Sequence, residues 1–107
     1  MEQRKAIRYQ VRAPVLFRWT DVDGVGLQGG GFSRDISTDG LFVCCGRLPP
    51  LKTALSIEVL LSVAQAPGPG LWLRGQGEVV RVEGRENQPG FAAKAHLDLT
   101  RSETDLS

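Results

Sequence analysis

A chain of 107 residues with a formal net charge of +1 is large enough for one hydrophobic core and too small for two. A near-neutral chain of this kind is not built to grip a long polyanion, and no stretch approaches the roughly 18 apolar residues that a membrane-spanning helix requires. The N-terminus lacks the apolar core of a signal peptide, and Cys44 and Cys45 are neighbours whose side chains would leave a strand on opposite faces, so a cytoplasmic protein with free, semi-buried thiols is expected.

The charge is unevenly spread. Arg4, Lys5, Arg8 and Arg12 stand against Glu2 alone, whereas Asp98, Glu103 and Asp105 outweigh Arg101 at the other end. A local basic arm on a neutral body suits a small anionic ligand better than DNA or RNA.

In chain order, Val11, Ala13, Val15, Phe17 and Trp19 alternate with polar or exposed positions and read as a first half-buried strand, with Pro14 implying a bulge or a free edge. Asp21 to Gly31, with Asp23-Gly24 and the run Gly29 to Gly31, reads as a turn-rich hairpin connection. Phe32 to Ile36 and Leu41 to Cys45 are expected as short strands separated by a turn at Gly40. The cleanest period-two signal runs from Leu55 through Ile57, Val59 and Leu61 to Val63. Ala66-Pro67-Gly68-Pro69-Gly70 forces a turn. Leu71 to Val82 reads as a long strand in which Gly75 and Gly77 are expected to mark a bend or bulge. Glu83 to Gly90 is a polar loop, and Phe91, Ala93, Ala95 and Leu97 form a final alternating strand. Six strands with closely spaced turn signals predict an all-β fold, a six-stranded antiparallel barrel over residues 11–99, preceded by a flexible basic arm over 1–10. Thr100-Arg101-Ser102-Glu103 has the form of a capping box, so 100–107 is expected as a tail or at most one helical turn.

Several apparent chemical motifs dissolve on inspection. Gly24 to Gly29 matches GxGxxG, but glycine and strand follow it where a dinucleotide fold needs a helix. His96 is the only histidine, and the adjacent cysteines have no carboxylate cluster beside them, so neither a zinc site nor a histidine-based triad can be assembled. Trp19 and Trp72 lie in strand patterns and are expected in the core, with Trp72 retained as a candidate stacking surface.

The chemistry concentrates in Arg34-Asp35-Ile36-Ser37-Thr38-Asp39-Gly40. Strict alternation puts Ser33, Asp35 and Ser37 on one face, with Arg34 and Ile36 on the other. A carboxylate accepts only and a hydroxyl both donates and accepts, so this polar platform suits a ligand rich in N–H donors, such as guanine. RxxxR occurs as Arg4/Arg8, Arg8/Arg12 and Arg81/Arg85; the first is preferred because a strand follows it directly.

RxxxR ahead of a first strand, followed by [D/N]xSxxG one hairpin later, resembles the PilZ domain, the bacterial receptor family for cyclic di-GMP. Arg4 and Arg8 fit the first signature; Asp35, Ser37 and Gly40 fit the second. The resemblance implies a non-catalytic cyclic di-GMP receptor, without metal or cofactor. In it Arg4 and Arg8 clamp phosphate and guanine, Asp35 accepts from guanine N1–H and N2–H, Ser37 completes the contacts and Gly40 lets backbone approach. Lys5 and Arg34 are weaker candidates that add charge. It further implies a monomer that signals to a downstream protein when ligand orders its arm. The alternative is a PilZ-like adaptor that acts by protein contact without nucleotide; an oligonucleotide-binding barrel would need more cations on its strands.

Overall fold

The computed structural model describes residues 10–61, 71–84 and 88–101. Six strands, β1 (Pro14–Thr20), β2 (Gly26–Ser37), β3 (Gly40–Cys45), β4 (Ala54–Leu61), β5 (Leu71–Glu83) and β6 (Gly90–Arg101), pair antiparallel in the order β1-β2-β3-β6-β5-β4. Pairing of Val15 with Val59 brings β4 back to β1 and closes the barrel. The expected all-β, six-stranded architecture is therefore present, and the described residues contain no helix.

Alternation decides what fills the barrel. Val15, Phe17 and Trp19 of β1 and Leu55, Ile57 and Val59 of β4 point inward and meet Leu41, Val43 and Cys45 of β3, Val79 of β5 and Phe91 of β6. Phe17 is the hub. Its ring stacks on Trp19 at 5.8 Å between centroids and takes an edge contact from Phe91 at 4.9 Å. Burying each of these side chains stabilises the barrel by about 1.5–3 kcal/mol. Cys44 and Cys45 leave β3 on opposite faces as free thiols, and burial, reinforced by the neighbouring Cys44, pushes the Cys45 thiol up to about 11.

Five expectations about the strands change. β1 starts at Pro14, which pairs with Phe32 but has no partner on β4; the residues before it are held by Ser33 instead. The Ser33 hydroxyl, 2 % exposed, accepts from the Ala13 N–H at 2.9 Å and donates to the Val11 carbonyl. Gly29 to Gly31 belong to β2, not to a loop: a Cβ on Gly29 would overlap the Phe17 ring, so the missing side chain makes room for a fully buried core aromatic. The connection shrinks to 21–25. In β5 the register shift lies between Val79 and Arg81, and pairing runs unbroken through Gly75 and Gly77. Trp72 lies outside the core cluster: it pairs with Leu60 and Thr100, alternates with the core-packed Leu73, and has Arg74 over its ring at 5.3 Å. β6 continues through Thr100 and Arg101; the rest of the capping box, and the turn expected at 66–70, lie outside the described residues.

Candidate functional site

The signature hairpin joins β2 to β3, and a bulge sets its geometry. Ser33 pairs with Val43 and Asp35 pairs with Phe42, leaving Arg34 as an extra residue between them. An inserted residue breaks the two-residue period of a strand. Ser33 and Ile36 therefore both face inward, at 2 % and 7 % exposure, while Arg34, Asp35 and Ser37 share the outer face. This corrects two expectations at once: Ser33 is not part of the platform, and Arg34 is on the face of Asp35 rather than that of Ile36.

The outer face carries a row of paired residues across four strands, Asp35–Phe42–Ala92–Arg81. Phe42 alternates with the core residues Leu41 and Val43 and so points out of the barrel; it is absent from the core cluster, yet only 2 % exposed. Two arginines cover it. The Arg34 guanidinium carbon lies 3.8 Å from the ring centroid and that of Arg81 lies 5.9 Å away, both within cation–π range. Arg81 reaches this face because of the second bulge, at Val80: Val79 pairs with Ala93 and Arg81 with Ala92. Two bulges on strands either side of β3 and β6 thus aim two guanidiniums at one exterior ring.

Around this ring the structure forms a shallow depression of about 190 Å³, lined by Arg34, Asp35, Ser37, Gly40, Phe42 and Arg81 among others. Arg34 Nε approaches Asp35 Oδ2 at 3.4 Å, and Arg81 Nε donates to Glu83 Oε2 at 3.0 Å. The Asp35 side chain is 17 % exposed and the Arg34 side chain 44 %. Ser37 works within the hairpin. Its hydroxyl accepts from the Asp39 N–H at 3.2 Å and donates to the Gly40 carbonyl at 3.3 Å, and the Asp39 carbonyl in turn accepts from the Ala95 N–H at 2.9 Å. Gly40 sits against β6: a Cβ there would overlap the Ala93 carbonyl, and its φ is not positive. The close backbone approach expected at Gly40 is thus made by a neighbouring strand.

Asp35, Ser37 and Gly40 are brought together, and Arg34 joins them. Arg4, Lys5 and Arg8 lie outside the described residues. Sequence reasoning missed Phe42 and Arg81. The available signal was Val79-Val80, two apolar residues side by side after the regular alternation from Leu73 to Val79, which marks a change of face before Arg81. A larger open cleft of about 550 Å³ lies near Arg18, Trp19, Gln28 and Ser56, but among the described residues no carboxylate lines it and the one guanidinium is already bonded to Gln28 at 3.1 Å. The smaller depression gathers the complementary charges.

A carboxylate and two guanidiniums are thus grouped on the outer face of a closed six-stranded barrel. Comparison with protein-family models matches the PilZ domain over residues 2–106, so the chain belongs to the PilZ family, non-catalytic domains that bind cyclic di-GMP. No curated protein matches the chain.

Proposed function

We propose that this domain is a receptor for cyclic di-GMP. The observation that carries the reading is the outward Asp35 carboxylate beside Arg34, with Arg81 across Phe42 on the same face. Guanine presents N1–H and N2–H along one edge and O6/N7 acceptors along another, which are the counterparts of a carboxylate and a guanidinium. Asp35 takes the donor edge of a guanine. Arg4 and Arg8 clamp phosphate and the acceptor edge in bidentate fashion, with Lys5 adding charge. Arg81 supplies a further positive charge toward the phosphates, and Ser37 and Gly40 hold the hairpin in the shape the base meets. Binding orders the N-terminal arm across the barrel of a monomeric, cytoplasmic protein and so changes the surface that a downstream protein reads.

Calorimetric titration of the domain with cyclic di-GMP, with cyclic di-AMP and GTP as controls, tests this directly. Saturable binding at micromolar concentration or tighter, selective for the guanine dinucleotide, is expected; absence of binding at tens of micromolar protein overturns it. Arg8→Ala should weaken binding by about 1.5–3 kcal/mol through loss of a charge-assisted bond, and an affinity within threefold of wild type would remove Arg8 from the site. Asp35→Ala should erode the preference for guanine over adenine more than the total affinity.

One observation favours a second reading, the adaptor without nucleotide. Ser37 and Gly40 have tasks in the hairpin and at the β3–β6 contact, so a barrel that had ceased to bind ligand would still need both. The same titration separates the two readings.

A further inference from the structure

The position of Arg34 has a chemical meaning of its own. Its guanidinium rests on the face of Phe42 at 3.8 Å while its Nε points to Asp35 Oδ2 at 3.4 Å. The donor edge of guanine, N1–H, C2 and the N2 amino group, is itself a guanidine fragment: a planar carbon carrying nitrogen donors. Arg34 thus presents to Asp35 and Phe42 the same flat, donor-edged group that the proposed ligand brings. We propose that Arg34 is a built-in stand-in for the guanine base, occupying the Asp35 carboxylate until a base displaces it, and that it is thereby a specificity-determining residue of the site; this rests on the receptor reading above.

The geometry explains why the stand-in yields. Arg34 adjoins Asp35 in sequence and reaches it through Nε at 3.4 Å, longer than the roughly 2.7–2.9 Å of a good charge-assisted bond. A guanine brings two parallel donors to the same carboxylate. Adenine brings an acceptor, N1, where guanine has N1–H, so it cannot replace the arginine. The contact costs guanine something to displace, whereas an adenine ligand gains nothing by displacing it. Arg81 differs on each point: it lies farther from the ring, and its Nε is held by Glu83 at 3.0 Å. Loss of Arg81 removes a charge and leaves the Arg34–Asp35 contact in place.

The test measures affinity of the full chain for cyclic di-GMP and for cyclic di-AMP in wild type, Arg34→Ala, Arg81→Ala, Asp35→Ala and the Asp35→Ala/Arg34→Ala double variant, with melting curves to establish that each is folded. Both ligands carry the same phosphates, so the effect of lost charge cancels in the ratio of affinities. Arg34→Ala should raise the guanine-to-adenine ratio by roughly three- to tenfold, the size of one exposed guanidinium contact. Arg81→Ala should weaken both ligands alike and leave the ratio unchanged. In the Asp35→Ala background, removing Arg34 should no longer alter the ratio. An unchanged or lower ratio in Arg34→Ala, or a rise that persists without Asp35, overturns the stand-in while leaving the receptor reading intact. Failure of wild type to bind cyclic di-GMP overturns the receptor reading itself.

Discussion

Two hairpins of this barrel close in similar ways and end in different chemistry. In the β1–β2 turn, Asp21 Oδ1 accepts from the N–H groups of Asp23 and Val25 at 2.8 and 2.9 Å, and Gly24 takes a φ of 82°. In the β2–β3 turn, Ser37 accepts from Asp39 and donates to Gly40. Both are polar side chains folding back on local backbone, the usual way a short loop satisfies its own groups. The resemblance ends at the flanking strand: the residues of β2 next to the first turn pair regularly with β1, while those before the second carry the Arg34 bulge. Serine and glycine in the signature make a turn. The bulge turns Arg34 and Asp35 outward together and so sets a guanidinium and a carboxylate on one face.

The largest test of this contrast is at the two glycines. Gly24 needs its conformation, since its φ is positive and open space surrounds it; Gly40 needs its lack of a side chain, since the Ala93 backbone occupies the place of a Cβ. Gly40→Ala must push β3 away from β6 and should cost about 3 kcal/mol. Gly24→Ala should cost about 1–2 kcal/mol, the penalty of a left-handed conformation for an L side chain. Urea midpoints of the two variants measure the difference. Equal losses would mean that Gly40 serves its turn as Gly24 does and that the β3–β6 contact is not tight.

Next in size are the two side chains that close the turns. Asp21→Ala leaves two backbone donors to find water and Ser37→Ala one donor and one acceptor, and each should lower stability by about 1 kcal/mol. Under the receptor reading, cyclic di-GMP affinity falls in Ser37→Ala and is unchanged in Asp21→Ala. A Ser37→Ala protein that loses stability and binds as wild type would confine Ser37 to the turn.

These contrasts show which features could be read without coordinates. The alternation of β1 and β4 located Phe17, Ile57 and Val59 in the core because both strands pair without a shift. Asp35, Ser37 and Gly40 were legible as a spaced set. The face of Arg34 was not, because strict alternation assigns it by counting and a bulge adds one to the count. Gly29 to Gly31 read as a loop because their reason for being glycine is partly the Phe17 ring, a partner many residues away in sequence. Leu71-Trp72-Leu73 offers three apolar side chains in succession, and only pairing with Leu60 and Thr100 decides that Trp72 faces out. In each case a long-range partner decided what the local pattern left open.

The smallest expected effect comes from removing the bulge. Deleting Arg34 takes out the residue that has no partner on β3, so Ser33 stays opposite Val43, Asp35 opposite Phe42 and Ile36 opposite Leu41. The shortened strand then has regular alternation: Ser33 in, Asp35 out, Ile36 in. Loss of the Arg34 contacts with Phe42 and Asp35 is offset by a better hydrogen-bonded ladder, and stability should change by less than about 1 kcal/mol. The outcome is informative because the opposite geometry predicts the opposite result. Were β2 regular at Arg34, its deletion would reverse the face of every residue on one side of the cut, exposing Ile36 or Ser33, and the protein would unfold. A folded deletion variant also isolates Asp35 from its neighbouring guanidinium without leaving an unfilled bulge. Its guanine-to-adenine preference should rise as in Arg34→Ala, so the two variants report on one carboxylate through different changes of backbone.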